Sequence, residues 1–281
     1  MTVKAFFNPA SVDEAVELMY SQSGHGEYLA GGTDMLCAKD WPDFVVNVRD
    51  LLNTVKKDGD EFVMGASATI TQVEFWDELA AADDGLLRKC CKEFASRQIR
   101  NMATVGGNIA SAVPSADVAP PLMVLEATCV IQGKDGQRTV PLNEFFTGPH
   151  ESVIDKELLV EIRVPAPAPG VKTEFLKMDR NPGDIAMINV STLLELDDDT
   201  IKKARIALGA VAPTPIRAFE AEAFLEGKPA TKDNIQQASE LAAKAARPIS
   251  DQRASEAYRK HMSMALTRRA LQHCLGIRED Q

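Results

Sequence analysis

Two glycine pairs have the spacing and neighbours to bind an anion. Gly31–Gly32 lies in LAGGTDML, residues 29–36, and Gly106–Gly107 lies in ATVGGNIA, residues 103–110. A glycine pair forgoes side-chain packing and costs backbone entropy, so two in one chain ask for a reason. Without side chains a peptide can approach a ligand closely and turn its N–H groups toward a pyrophosphate. Thr33 and Thr104 place hydroxyl donors beside the pairs. Two such loops can close on one pyrophosphate from opposite sides. On the other reading each pair makes a tight turn and binds nothing. The residues alone leave both open.

Other chemistries find little support. The dinucleotide fingerprint G-x-G-x-x-G follows a strand and opens a helix. Its nearest match, GHGEYL at 24–29, has leucine for the third glycine and precedes a strand. The phosphate loop G-x-x-x-x-G-K-[ST] is absent, since Gly227–Lys228 is followed by Pro229, and G-x-S-x-G does not occur. His25, His150, His261 and His273 are scattered, and Cys37, Cys90, Cys91, Cys129 and Cys274 make no C-x-x-C pair. No metal site and no catalytic acid, base or nucleophile is assigned. The cysteines read as packed or surface thiols of a reducing compartment.

The 281 residues, 45% hydrophobic and 26% charged, suit a globular protein. A net charge of −10 argues against nucleic acid or an anionic membrane as partner. RRALQHCLGIR, the most basic stretch, reads as a solvated helix face. No run approaches the roughly 20 apolar residues of a membrane span, and the N-terminus lacks signal-peptide character, so the expected location is cytoplasmic.

The elements that must position the glycines follow from periodicity and turn residues. Ser11-x-x-Glu14 is a capping box before Val12, Ala15, Val16 and Met19 at helical spacing. YLAGG, FVVNV and EFVMGASAT read as strands, TQVEFWDELAAAD as a helix, and residues 86–99 as one further helix. TCVIQ and RTVPL form a hairpin around GKDGQ, and ELLVEIRVP is another strand. PAPAPG, residues 165–170, is a stiff linker by composition. Beyond it, TEFLKM, INVSTLLEL and IKKARIALGAV are strands. Helices are expected at 215–226, 232–246 and 254–275, the last with Tyr258, Met262, Ala265 and Leu266 on one side. This order is α+β. It implies an N-terminal domain over 1–168, in two subdomains split near 58, and a C-terminal sheet-plus-helices domain over 171–281.

LAGGTDML together with RNMATVGGNIASAVPSAD resembles the FAD-binding signature of the medium subunit of molybdenum hydroxylases, a family that includes xanthine and carbon monoxide dehydrogenases. The likeness extends through FFNPASVDEAVELM, FASRQIRNMATVGGN, ELLVEIRVP, FLKMDRNPGDIA and LGAVAPTPIRA. It implies a PCMH-type (vanillyl-alcohol-oxidase-type) FAD-binding fold. It also implies a function: electrons pass from [2Fe–2S] clusters on a small partner subunit through FAD to NAD+ or another acceptor. A large molybdopterin subunit hydroxylates the substrate, and the assembly is a dimer of heterotrimers. The segment GAVAPTPIRAFEAEAF points to the xanthine-dehydrogenase-like branch. The cysteine-rich insert of 4-hydroxybenzoyl-CoA-reductase-like relatives is not visible. Two alternatives remain, a self-contained flavin oxidase of the same fold and a flavin-binding assembly module without turnover.

Carried over residue by residue, the resemblance makes Leu29, Ala30, Gly31, Gly32, Thr33, Asp34, Met35 and Leu36 the first pyrophosphate loop. Thr104, Gly106, Gly107 and Asn108 belong to the second. Phe94 lies at the cofactor, Asp117 hydrogen-bonds it, and Leu159 lies against the isoalloxazine. Lys177 stands near the flavin and opens the pattern Lys177, Arg180, Gly183, Asp184. Read simply as residues, Phe94 and Leu159 can be core, Asp117 a helix cap, and Lys177 an exposed strand residue.

Overall fold

The computed structural model describes residues 3–277. Strand β1 (Ala5–Phe7) leads through helix α1 (Val12–Ser21) to β2 (Gly26–Leu29) and β3 (Phe44–Asn47), and the three strands make a parallel sheet in the order β1-β3-β2. Ser11 caps α1, its Oγ accepting from Glu14 N at 3.2 Å. Glu14 reaches back to Ala10 N at 2.6 Å, one residue earlier than a standard capping box. Ala15, Val16 and Met19 form the buried stripe that holds α1 in place.

β4 (Val55–Asp58) and β5 (Glu61–Gly65) open a second, antiparallel sheet. The chain then leaves it for six short helices: α2 (Ile70–Glu74), α3 (Asp77–Ala82), α4 (Leu86–Glu93), α5 (Arg97–Arg100), α6 (Val105–Ala110) and α7 (Ala119–Val124). It returns as β6 (Thr128–Gly133) and β7 (Gly136–Pro141). After the small hairpin β8 (Phe146–Gly148) and β9 (Glu151–Ser152) comes β10 (Leu158–Pro165). The sheet order is β4-β5-β10-β6-β7, with β10 at the centre. Its burial matches that place, since Leu158, Leu159, Val160, Ile162 and Val164 are all buried. A register shift between Leu159 and Glu161 marks a bulge, and the Val160 carbonyl there accepts from Ala66 N at 2.9 Å.

Two expected helices are broken, each for a local reason. TQVEFWDELAAAD divides between α2 and α3, where Trp76 packs edge-on against Phe62 at 5.4 Å. Residues 86–99 divide between α4 and α5, where Ala95 takes φ +39° and Ser96 caps the second piece. The hairpin turn is also tighter than GKDGQ suggests: Gly133 pairs with Gly136, leaving Lys134–Asp135 as the loop.

The remaining sheet is antiparallel, β11 (Lys172–Met178), β12 (Ile188–Asp197), β13 (Thr200–Gly209) and β14 (Ile216–Arg217). Helices α8 (Phe219–Leu225), α9 (Lys232–Ala245) and α10 (Glu256–Cys274) follow. β12 is buried without interruption from Ile188 to Leu194, polar residues included, because both its faces are covered. Leu193 joins the core of the N-terminal half, with Ile109, Leu122 and Ile162, while Leu194 joins Ile235, Leu266 and Leu271. On α10 the expected face is displaced: Tyr258 is exposed, and the inward stripe is Arg259, Ser263, Leu266, Thr267, Ala270, Leu271 and Cys274. The helix expected from 215 starts at Phe219, because Ile216 and Arg217 pair with β13 instead.

Arg217 and Glu222 form a two-pronged ion pair (2.6 and 2.8 Å), with both side chains 8% exposed. Glu222 also accepts from Ile206 N at 2.8 Å, and Arg217 reaches Met123 O in α7 at 3.1 Å. Removing one member of such a pair leaves a buried charge unmatched. Glu222→Ala is therefore expected to cost about 3–5 kcal/mol in urea unfolding, and Glu222→Gln, which keeps an acceptor for Ile206, markedly less.

Candidate cofactor-binding site

A cleft of about 1230 Å³ runs between the two glycine segments and the edge of the C-terminal half. It exceeds the roughly 300–1,000 Å³ of common small-ligand pockets and suits a dinucleotide-sized group. Ala30, Gly31, Gly32, Thr33, Asp34 and Met35 line it from one side. Thr104, Gly106, Gly107 and Asn108 line it from the other, with Phe94 and Leu159 alongside. Leu29 and Leu36 do not reach it and instead line a hollow of about 600 Å³ behind the first loop.

The first loop is built to leave its amides free. It follows β2, whose last carbonyl, Leu29 O, accepts from Val48 N at 2.9 Å. Gly32 takes φ +70°, a conformation that L side chains resist. Gly31 lies against the backbone of the second motif, where a Cβ would meet Met102 O at 2.1 Å. The amides of Gly31, Gly32, Thr33 and Asp34 find no acceptor among the described residues. Four adjacent unpartnered donors on a cleft wall fit the oxygens of a pyrophosphate.

The second loop differs from the expectation of a matching nest. Val105 N donates to Ala68 O and Gly106 N to Ala66 O, both at 2.9 Å, while Gly107 N donates to Thr104 Oγ1 at 3.0 Å. Its donors are consumed by the cap of α6 and by the chain leaving β5. Gly106 is glycine for packing, since a Cβ would stand 2.4 Å from Ala66 Cβ and 2.5 Å from Ala66 O. This segment is a close-fitting wall. Asn108 adds a brace, its Oδ1 accepting from Val118 N at 3.3 Å.

Asp117 and Lys177 lie behind the wall and do not line the cleft. The Lys177 ammonium meets Asp117 Oδ2 at 2.7 Å, with side chains 1% and 9% exposed. It also donates to Glu93 O at 3.1 Å, next to Phe94. Asn189 Nδ2 donates to Asp117 Oδ1 at 2.8 Å, and Cys90 Sγ to Asp117 O at 3.2 Å. Burial pushes the Asp117 carboxyl upward, against the pull of Lys177 and Asn189. Asp117 is no helix cap, since α7 starts after Val118 without a side-chain cap, and Lys177 is no exposed strand lysine.

The C-terminal half supplies lining residues that sequence reasoning missed: Ile185, Ala210, Arg247, Ile249, Asp251 and Arg259. Ile185 follows the Gly183–Asp184 turn, whose Gly183 (φ +87°) faces Ala95 O. Arg259 donates to Met187 O (2.9 Å), Ala210 O (2.8 Å) and Asp251 Oδ1 (2.9 Å). The signal for it was the polar stripe Arg259, Ser263, Thr267 at four-residue spacing, facing inward on α10.

Residues 2–167 match the family described as FAD binding domain in molybdopterin dehydrogenase, and residues 173–274 match CO dehydrogenase flavoprotein C-terminal domain. The carbon monoxide dehydrogenase medium chain of Hydrogenophaga pseudoflava is 32% identical, covering 94% of each chain. The xanthine dehydrogenase FAD-binding subunit of Escherichia coli O157:H7 is 30% identical over 97% of this chain and 96% of that one. Among solved structures, carbon monoxide dehydrogenase from Hydrogenophaga pseudoflava superposes with a TM-score of 0.95 at 32% identity, covering 98% of each chain. Quinoline 2-oxidoreductase from Pseudomonas putida 86 gives 0.91 at 26%, again over 98% of each.

The α+β fold and its cleft therefore define an FAD-binding flavoprotein. The chain belongs to the FAD-binding medium subunits of the molybdenum hydroxylase family, is similar to carbon monoxide dehydrogenase medium chains, and is a subunit type of oxidoreductases. No helix among the described residues is long and apolar enough to cross a membrane.

Two outcomes follow from this geometry. Gly106→Ala should push α6 off Ala66, lower stability by about 1–3 kcal/mol and release FAD on gel filtration. Gly107→Ala, which meets only Thr104 Oγ1 at 2.8 Å, should do less to both. The second concerns Asp251. Burial pushes its carboxyl up, but the Arg253 and Ala254 amides and Arg259 outweigh that and hold it at about 2, below the ordinary 3.8. The stabilisation is thus complete above pH 4 and lost as pH falls through 2. Asp251→Asn should cost about 1–2 kcal/mol at pH 6, and its difference from wild type should shrink between pH 4 and 2 in denaturant titrations.

Proposed function

We propose that this chain is the electron-transfer flavoprotein of a xanthine-dehydrogenase-like molybdenum hydroxylase complex. It takes electrons from [2Fe–2S] clusters on a small partner subunit and passes them through FAD to NAD+ or another acceptor. A large molybdopterin subunit carries the substrate chemistry, in a cytoplasmic dimer of heterotrimers. The observation that carries this reading is the row of four unpartnered amides, Gly31 to Asp34, on the wall of a dinucleotide-sized cleft.

Gly31, Gly32, Thr33 and Asp34 hold the pyrophosphate, with Ala30 and Met35 at the ends of the turn. Thr104, Gly106, Gly107 and Asn108 shape the opposite wall. Phe94 and Leu159 offer apolar surface to the ring, and Asp117 and Lys177 support that wall from behind. FAD, when bound, supplies reversible one- and two-electron chemistry. The chain's own task is to fix the group, exclude water from its buried side and leave an edge accessible. No acid or base on this chain is required. Relatives named for carbon monoxide and for xanthine lie at 32% and 30% identity. That near-equality supports a subunit whose residues do not select the substrate.

The test is to purify the complex and assign its cofactors chain by chain. One FAD per copy, released by denaturation without covalent attachment, is expected on this chain, with iron and molybdenum on two co-purifying chains. NADH should bleach the visible flavin band. Protein that takes up no flavin on reconstitution, or iron in stoichiometric amount on this chain alone, overturns the reading. Flavin that NADH leaves oxidised removes NAD+ as the acceptor.

A further inference from the structure

The turn that carries Phe94 into the cleft is held by a residue that never reaches the cleft. α4 ends at Glu93 and α5 begins at Arg97, so Phe94, Ala95 and Ser96 make the whole connection. The turn is strained, with Ala95 at φ +39°, and it leaves the last carbonyls of α4 without helical partners. Arg100 fills that gap. Its Nη1 donates to Lys92 O (3.3 Å), Phe94 O (3.0 Å) and Ala95 O (3.1 Å). Its Nε lies 3.1 Å from Glu74 Oε2, with the two side chains only 15% and 10% exposed. Glu74 is itself anchored, since Arg88 Nε donates to its carbonyl at 2.8 Å. From the opposite side Lys177 binds Glu93 O, and Gly183 sits against Ala95 O.

We propose that Arg100 is a positioning residue for the flavin, acting through the Phe94 turn. Two largely buried charges are costly to keep, and a lysine's single ammonium cannot stand both at the three carbonyls that Nη1 reaches and beside Glu74, where Nε lies without a hydrogen bond. Arg100 is absent from the cleft lining while Phe94 is part of it, so the turn is its route to the cofactor. The inference rests on the reading that Phe94 lies against the bound ring.

The experiment compares Arg100→Lys, Phe94→Leu and the double variant in the purified complex. The readouts are FAD affinity, the visible circular dichroism of the bound flavin, and kcat against KM for NADH-to-dye activity. Phe94→Leu is expected to alter the flavin dichroism and weaken FAD binding about tenfold. Arg100→Lys should shift the same signals in the same direction, with far-ultraviolet dichroism unchanged. The double variant should be no worse than the stronger single one, because both act on one contact. Multiplying effects, or a folded Arg100→Lys with wild-type flavin signals, overturn the proposal. A silent Phe94→Leu beside an active Arg100→Lys overturns the route through Phe94 and the placement of that ring. Should Arg100→Lys fail to fold, Glu74→Gln, which removes the countercharge but keeps the three carbonyl bonds, is measured in the same way. A shift in flavin dichroism that Phe94→Leu abolishes supports the proposal, and an unshifted flavin overturns it.

Discussion

The molecule turns on a lysine and an aspartate, 60 residues apart, that have left water together. Lys177 comes from β11 and Asp117 from the segment before α7, and Asn189 on β12 completes the network. Such a pair contributes little net stability compared with well-packed apolar side chains, yet losing either partner costs about 3–5 kcal/mol. That asymmetry makes it a registration device. It tolerates one arrangement of the two halves and penalises the rest. Because Lys177 also donates to Glu93 O, the same lysine that seats β11 helps hold the turn bearing Phe94.

The two glycine segments share a look but divide the labour. In the first, Gly32 makes a left-handed turn and Gly31 lets the loop lie on the Met102 backbone, which frees a row of amides. In the second, the amides are spent on Ala66, Ala68 and Thr104, and Gly106 permits a close approach that no side chain allows. One loop donates, and the other confines. The confinement matters because a dry, shaped wall strengthens the hydrogen bonds made opposite it.

Much of this was legible in the chain. Ser11 and Glu14 announced α1, ELLVEIRVP announced the central strand, and β11, β12 and β13 stand where TEFLKM, INVSTLLEL and IKKARIALGAV read as strands. These features are local: a cap, a period, a turn residue. The breaks at Phe75–Trp76 and Phe94–Ser96 were not legible, because they are imposed by side-chain contacts that no helical period reports. Trp76 is drawn to Phe62, and the Ala95 turn is stabilised by a cation on each side. The face of α10 was misjudged for the same reason. Its inward Arg259 is tolerable only because Met187, Ala210 and Asp251 supply acceptors.

For the site, the sequence by itself determined which residues have the chemistry to bind a pyrophosphate, since glycine, threonine and their spacing are local properties. Only the tertiary structure decided which amides stay free. A donor is available when no other backbone reaches it, and Ala66 and Ala68 lie some forty residues from the second pair. The sequence likewise offered Asp117 and Lys177 as candidate ligands. Packing joins them to each other, because two opposite charges excluded from water satisfy each other before anything else.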